Sequence, residues 1–162
     1  LLHSSVLRNG EQITENIALN DVVVNKWNVA RMLETETFVN DQFLNHLRSD
    51  GLIISTPTGS TAYALSGGGP ILQPDLNAMV LVPICPHTMS NRPIVVNGDA
   101  LINVVIHGSG EVQAQVTYDG QINFNLNAGD HVRVCKYSHK IRLIHPLDHD
   151  HYHLLRTKLG WG

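Results

Sequence analysis

The stretch VQAQVTYDGQINFNLN, residues 112–127, decides the fold class because it reads as a complete β-hairpin. Apolar and polar residues alternate strictly on both sides of Asp119-Gly120, as expected for strands that bury one face. Asp-Gly between two alternating arms indicates a two-residue turn, since glycine tolerates the positive φ that such turns require. The stretch therefore predicts two antiparallel strands joined by a tight turn.

Similar signals along the chain predict a mainly β domain. The chain contains 16 Val and 12 Ile, which favour strands, and a second hairpin is predicted at Asn9-Gly10. Further strands are predicted at residues 17–24, 32–39, 52–55, 79–84, 94–96, 101–107, 131–137 and 141–144. Short helices are predicted at residues 61–66 and 152–159. This pattern is typical of a layered, β-sandwich-like domain of many short strands with short helices.

Composition narrows the function classes. Of 162 residues, 43% are hydrophobic and 15% charged, which excludes a disordered tail and allows one sizeable core. The net charge of −3 and the lack of a Lys/Arg cluster argue against a nucleic-acid partner. No apolar run reaches the roughly 18 residues of a membrane span, so we expect no membrane partner. Two cysteines without zinc-site spacing fit a reducing compartment, and we predict a cytoplasmic protein.

The most unusual segment is DGLIISTPTGSTAYALSGGGP, residues 50–70. It reads as a buried strand, a hydroxyl-rich turn, a short helix and a glycine-rich exit. Hydroxyls and unpaired backbone N–H groups at a helix start favour a polar or anionic ligand. An ordinary capped helix followed by a loop fits the same spacing. The residues alone leave both interpretations open.

This segment, together with LVPICPHT at 81–88 and NRPI at 91–94, closely resembles the C-terminal domain of NAD kinases. The resemblance continues through NDVV at 20–23, DGQ at 119–121 and TKLGW at 157–161, in the order of the family and over nearly the whole chain. It implies a layered, almost all-β domain. It also implies phosphorylation of NAD to NADP by ATP with Mg²⁺ or another divalent cation, in a homodimer or homotetramer that binds NAD between domains and subunits.

One family motif does not occur in this chain. The Gly-Gly-Asp-Gly segment, whose aspartate is thought to activate the accepting ribose hydroxyl, lies in an upstream domain of the family. Leu1 to Val6 also reads as a strand in progress, so we expect residues 1–162 to be an excised NAD-binding and oligomerising domain. The resemblance therefore assigns no catalytic residue to this chain and predicts that the isolated chain is inactive.

The resemblance carries a set of NAD-binding positions over to this sequence. Asn20 and Asp21 would hold ribose hydroxyls. The nucleobase pocket would be lined by Thr61, Ala62, Tyr63 and Ser66. Arg48 and Asp50 would act near the nicotinamide end, reaching the ligand of a neighbouring subunit. The full set is Asn20, Asp21, Arg31, Arg48, Asp50, Thr61, Ala62, Tyr63, Ala64, Leu65, Ser66, Cys85 and Gln121.

Several of these residues have a purely structural alternative. Asn20-Asp21 is also typical of a turn before a strand, and Tyr63 of a core residue on a helical stripe. The hairpin alone explains Asp119-Gly120. Two other functions also stay open at this stage, a lipid or sphingoid-base kinase domain and a non-enzymatic His-rich β-sandwich binding module.

The second of those alternatives depends on a cluster of histidines near the end of the chain. His145, His149, His151 and His153 lie close together, and neutral imidazole is a common zinc ligand. A spacing of two residues places side chains on one face only in an extended segment, and no cysteine completes a tetrahedral set. We therefore interpret the cluster as a solvated tail and predict no metal site in this chain.

Overall fold

The computed structural model describes residues 1–27, 31–108, 112–148 and 150–161. These residues form twelve strands and two short α-helices. In chain order the elements are β1 (Leu2–Arg8), β2 (Glu11–Ala18), β3 (Asp21–Lys26), β4 (Leu33–Val39), β5 (Gln42–Ser49), β6 (Gly51–Ser55), α1 (Tyr63–Ser66), β7 (Ala78–Ile84), β8 (Ile94–Asn97), β9 (Ile102–His107), β10 (Ala114–Tyr118), β11 (Ile122–Leu126), β12 (His131–Lys136) and α2 (His151–Leu159).

The strands form two antiparallel sheets of six strands each. The first has the order β2-β1-β12-β9-β4-β5, and the second β11-β10-β3-β6-β7-β8. Their inner faces share one core, in which Val6 and Val104 of the first sheet pack with Val24 and Ile54 of the second. Alternate residues of each strand face this core because successive side chains point to opposite faces. The prediction of a mainly β, sandwich-like domain is confirmed.

A small third layer covers part of the outer face of the second sheet. Ala64 of α1 packs there against Val23, Ile53 and Val82 in a second hydrophobic cluster. The helix is preceded by a 3-10 turn, Gly59–Thr61, so the helix predicted at 61–66 is divided into two short pieces. This layer brings α1 next to the outward-facing residues of β3.

Both predicted hairpins are present. β10 pairs with β11 around Asp119 (φ 49°) and Gly120 (φ 67°), both in the left-handed region. β1 pairs with β2 around Asn9-Gly10. The positive φ at both turn positions is what a two-residue turn needs to match the twist of its strands.

Three strand predictions need correction. Residues 17–24, expected as one strand, belong to β2 and β3, which lie in different sheets, and the chain crosses between the sheets at Leu19-Asn20. Residues 141–144 alternate like a strand but form none, and Ile144 is 96% exposed. An alternating segment becomes a strand only where a partner satisfies its backbone groups. The edge strand β5 was not predicted.

The C-terminal helix α2 confirms the helix predicted at 152–159. The Asp150 side chain caps it by accepting hydrogen bonds from the Tyr152 and His153 N–H groups. Because His151 and His153 lie two positions apart on a helix, they point about 200° apart around its axis. His149 of the predicted solvated cluster lies outside the described residues. Neither helix formed by the described residues has the length and apolar character needed to cross a membrane.

Candidate functional site

The Asp119 carboxylate holds the crossing between the two sheets in place. Oδ1 accepts hydrogen bonds from the N–H groups of Asn20 (2.7 Å) and Asp21 (3.1 Å), and Oδ2 from that of Leu19 (2.7 Å). The Asp119 N–H donates in turn to the Asp21 carbonyl oxygen (3.0 Å). An ionised carboxylate suits three converging donors because it only accepts. The turn of the β10–β11 hairpin therefore positions Asn20 and Asp21.

Replacing Asp119 with alanine is expected to destabilise the fold by about 2–3 kcal/mol, because three backbone donors lose a charged acceptor. Asp119→Asn keeps the Oδ1 acceptor, and asparagine tolerates positive φ. This variant should therefore lose less stability than Asp119→Ala. Urea denaturation of both variants measures the difference. A loss below about 0.5 kcal/mol for Asp119→Ala, the range of an ordinary surface substitution, would contradict this role.

The crossing is held from its other side by the segment that follows β6. The Thr56 N–H donates to the Asn20 carbonyl oxygen (2.9 Å), and the Thr56 hydroxyl donates to that of Leu19 (2.7 Å). The same hydroxyl accepts from the Gly59 N–H (3.0 Å). A Cβ at Gly59 would lie only 2.1 Å from the Asn20 carbonyl oxygen. The backbones approach this closely because residue 59 has no side chain.

Gly59→Ala is therefore expected to lower the free energy of unfolding by roughly 3 kcal/mol or more, because the new methyl group must displace the Asn20 backbone. Gly10→Ala is a useful control. Gly10 has a positive φ but nothing within 4 Å of a Cβ, so its substitution should cost only about 1–2 kcal/mol. Equal losses of stability in the two variants, measured by urea denaturation, would contradict the steric argument.

A cleft of about 370 Å³ opens beside this crossing on the outer face of the second sheet. Its floor is formed by outward-facing residues of β3 and β10, and α1 and the Asp119 turn border it. The lining residues are Asn20, Asp21, Val23, Asn25, Ala62, Tyr63, Gln115, Thr117, Asp119 and Gly120. Three separate parts of the chain thus converge on one polar cavity.

Asp21 is the most unusual group in the cleft. The residue is 4% exposed, and among the described residues no hydrogen-bond donor reaches its carboxylate. Burial, and secondarily the charge of Asp119, raises the pKa of Asp21 to about 6. A buried carboxylate without donors lowers stability and is more typical of a ligand-binding site than of a structural position.

Part of the predicted helix segment reaches the cleft and part does not. Ala62 and Tyr63 line it, and the Tyr63 ring is 48% exposed at its edge. Thr61 and Ser66 are exposed next to them, and Leu65 is half-buried. Ala64 is fully buried in the second hydrophobic cluster, so its methyl group faces away from the cavity.

Arg48 and Asp50 lie away from the cleft, at the junction of β5 and β6. Asp50 Oδ1 is 2.6 Å from Lys26 Nζ, and Arg48 Nε is 3.1 Å from Glu34 Oε1. The Lys26–Asp50 pair is half-buried and the Arg48–Glu34 pair is exposed, and none of these four residues lines the cleft. Arg48 and Asp50 therefore do not face the cavity that holds Asp21.

The remaining predicted positions are also outside the cavity lining. Gln121 is exposed and follows Gly120 directly in the hairpin turn. Cys85 is exposed with a positive φ of 44°, in the segment after β7. Arg31 is exposed before β4. Their assignment as ligand contacts stays a prediction.

Six residues of the cleft lining were missing from the predicted set. Asp119 and Gly120 belong to the hairpin turn, and the other four are Val23, Asn25, Gln115 and Thr117. They occupy outward positions on β3 and β10. The alternation of residues 112–118 already marks Gln115 and Thr117 as facing away from the core. What the sequence did not show is that this outer face is enclosed by α1.

A second cleft of about 420 Å³ lies on the other side of the Thr56-Pro57-Thr58 segment. Its most prominent polar group is Lys136, whose Nζ contacts Asn77 Oδ1 (2.7 Å) and Asp99 Oδ1 (3.0 Å). Here Lys136 is paired with Asp99, and Asp75 and Lys140 also line the cleft. The first cleft is the stronger candidate for a ligand site because its Asp21 carboxylate is buried and meets no hydrogen-bond donor among the described residues.

Comparison with known proteins identifies the family of this chain. Residues 19–146 match the model of the ATP-NAD kinase C-terminal domain family. Over 162 residues the chain is 52% identical to the NAD kinase of Hydrogenovibrio crunogenus and 51% identical to that of Ectopseudomonas mendocina. Each match covers 100% of this chain but only 56% and 55% of those relatives, so the chain spans little more than half of their length.

Two solved structures share the fold. A yeast NADH kinase complexed with NADH is 31% identical with a TM-score of 0.76, over 83% of this chain and 39% of that one. An NAD kinase from Archaeoglobus fulgidus in complex with ATP is 29% identical with a TM-score of 0.69, over 85% of this chain and 51% of that one. Both sequence and fold thus point to the same family.

Proposed function

Because the chain belongs to the ATP-NAD kinase C-terminal domain family, we propose that it is the NAD-binding part of an NAD kinase. The whole enzyme would transfer a phosphoryl group from ATP to the 2′-hydroxyl of the adenosine ribose of NAD. The observation that carries this proposal is the Asp21 carboxylate, which is 4% exposed in a cleft of the family-matched region and meets no hydrogen-bond donor within the part of the chain that the structure describes. The family match favours this function over a lipid kinase or a His-rich binding module.

Asn20 and Asp21 are suited to bind ribose hydroxyls. A carboxylate can accept hydrogen bonds from two vicinal hydroxyls at once, and the Asn20 amide can both donate and accept. Ligand hydroxyls would supply the donors that Asp21 lacks among the described residues. Binding would therefore relieve an electrostatic cost that the free protein carries.

Tyr63 is suited to the base next to that ribose. Its exposed ring presents an aromatic face at the edge of the cleft, with a hydroxyl group at its end. Ala62 beside it leaves room for a flat group to approach the backbone. The two carboxylates of Asp21 and Asp119 would keep the phosphates of the dinucleotide away from this end by repulsion.

The general base is assigned to a part of the enzyme outside residues 1–162. The curated relatives are almost twice as long as this chain, and the family places its Gly-Gly-Asp-Gly segment in an upstream domain. Within the described residues no three His, Cys, Asp or Glu side chains come close enough to hold a metal ion. The proposal therefore assigns Mg²⁺ to the phosphates of ATP, where it would neutralise the charge of the transferred group.

We also propose that the enzyme is a homodimer or homotetramer in the cytoplasm. Arg48 and Asp50 do not line the cavity, and we propose that they contact the NAD of a neighbouring subunit. Cys85 and Cys135 are both free thiols, which fits a reducing compartment.

Calorimetric titration of the chain with NAD tests the binding part of the proposal. We expect saturable binding with one site per chain. Asp75→Asn, an exposed carboxylate of the second cleft, should leave the Kd unchanged. Absence of NAD binding, or its loss on substitution of Asp75, would contradict the proposal.

A further inference from the structure

The floor of the cleft continues beyond Asp21 as a row of uncharged polar side chains. In the antiparallel register of β3 and β10, Asn25 lies opposite Gln115, and Val23 opposite Thr117. Asn25, Gln115 and Thr117 are half-buried on the outer face, whereas the intervening residues of β10 point into the core. Four residues along a strand span about 13 Å, so Asn25 and Asp21 would contact different parts of one ligand.

The side-chain amide of Asn25 forms hydrogen bonds within the protein, whereas that of Gln115 does not among the described residues. Asn25 Nδ2 donates to the Lys26 carbonyl oxygen (3.2 Å), and the Thr117 hydroxyl lies at 3.5 Å from Asn25 Oδ1, the long limit of a hydrogen bond. The Gln115 amide has no hydrogen-bond partner among the described residues. A half-buried amide that faces a cleft without a partner has both a donor and an acceptor available for a ligand.

We propose that Gln115 determines specificity by binding a neutral edge of the ligand that presents one donor beside one acceptor. This inference rests on the proposed function, because NAD contains two such edges. One is the carboxamide of nicotinamide, and the other is the amino group of adenine with the adjacent ring nitrogen N7. A glutamine amide can form two parallel hydrogen bonds with either edge.

The surroundings of Gln115 favour a flat, uncharged group. Val23, which is 5% exposed, provides an apolar surface in the floor of the cleft, between Asp21 at one end and Gln115 at the other. Asp21 and Asp119 would repel an additional carboxylate in the same cavity. A ring could therefore lie over Val23 and direct the edge that carries its donor and acceptor at Gln115.

Two dinucleotide analogues identify which edge is bound. In nicotinic acid adenine dinucleotide a carboxylate replaces the carboxamide, and in nicotinamide hypoxanthine dinucleotide a carbonyl oxygen replaces the adenine amino group. The Kd values of these analogues and of NAD would be measured for the chain and for Gln115→Leu and Gln115→Glu. Asn125→Leu is the matched control, because Asn125 lies opposite Gln115 on β11 but does not line the cleft.

We expect the unsubstituted chain to bind NAD about tenfold more tightly than one of the analogues, as two neutral hydrogen bonds allow. For the hypoxanthine analogue, Gln115→Leu and Gln115→Glu should both reduce that ratio to near one. For the nicotinic acid analogue, Gln115→Leu should reduce the ratio to the part that repulsion by Asp21 and Asp119 supplies, and Gln115→Glu should raise it by adding a like charge. Asn125→Leu should preserve it. The analogue that is discriminated shows whether the nicotinamide or the adenine edge is bound.

Two results would overturn the inference while leaving the proposed function intact. One is NAD binding without discrimination against either analogue, and the other is discrimination that Gln115→Leu leaves undiminished. A chain that binds no NAD at all would overturn the proposed function and this inference together.

Discussion

The purified chain is expected to form no NADP from ATP and NAD, whereas a fusion that supplies the rest of the enzyme should form it readily. The fusion would join the N-terminal part of the Hydrogenovibrio crunogenus enzyme, whose matched region is 52% identical, to this chain. A general base alone contributes about 10²- to 10⁴-fold, so the fusion should exceed the chain by at least that factor. The measurement is NADP formation with an NADP-specific detection enzyme.

A control separates catalysis from assembly. The family resemblance implies a Gly-Gly-Asp-Gly segment in the upstream part, and substituting asparagine for its aspartate should remove the activity of the fusion but leave NAD binding. NADP formation by the chain alone at the rate of the fusion would show that residues 1–162 contain their own catalytic base. A fusion that binds both substrates but forms no NADP would contradict the proposed reaction.

Replacing Asp21 should weaken binding and, at neutral pH, stabilise the free protein. Asp21→Ala is expected to raise the Kd for NAD by roughly ten- to hundredfold, because hydrogen bonds to a charged acceptor contribute about 1.5–3 kcal/mol. Asp21→Asn keeps one acceptor, so its Kd for NAD should rise less than that of Asp21→Ala. If Asp21 is only a turn residue at the start of β3, the same changes would lower stability and leave the Kd unaltered.

The stability effect has a defined pH dependence. Because the pKa of Asp21 is raised to about 6 in the fold, the native state holds this proton more tightly than the unfolded chain does. Its contribution to stability therefore falls as pH rises from about 4 to 6. Asp21→Asn removes this loss. The variant should therefore be about 1–3 kcal/mol more stable than the unsubstituted chain above pH 6 and equally stable below pH 4.

Thermal unfolding without ligand at several pH values measures this difference. Asp99→Asn is a suitable control because the Asp99 pKa is lowered, first by its hydrogen bond to Lys136 and then by that to Asn77. That substitution should not stabilise the protein at any pH. An Asp21→Asn variant that unfolds at the same temperature as the original chain at pH 8 would contradict the buried-carboxylate argument.

The sequence predicted most of the strands because their pattern is local. Alternation and the Asp119-Gly120 turn specify the β10–β11 hairpin without knowledge of any other element. The sequence did not predict β5, for two reasons. Its turn, Asn40-Asp41, has positive φ at both positions without a glycine, and as an edge strand it carries exposed polar residues such as His46 and Arg48.

The candidate site was harder to predict because it depends on contacts between distant segments. The Asp119 carboxylate binds the N–H of Leu19, 100 residues away in sequence, and nothing in the hairpin pattern indicates this contact. The family resemblance placed Asn20, Asp21, Ala62 and Tyr63 in one site, and the structure brings these four together. It did not identify Asn25, Gln115 and Thr117, which are neighbours only through the pairing of β3 with β10.

Mapping the amide chemical shifts of the isotopically labelled chain during an NAD titration tests the central claim most directly. If NAD binds beside the crossing between the sheets, the largest shifts should occur at Asn20, Asp21, Tyr63 and Thr117. Asn77 in the second cleft and Asp99, to which the Asn77 side chain donates a hydrogen bond, should then shift little. Shifts confined to Asn77, Asp99 and their neighbours, or no shifts at saturating NAD, would contradict the assignment of the NAD site to the Asp21 cleft.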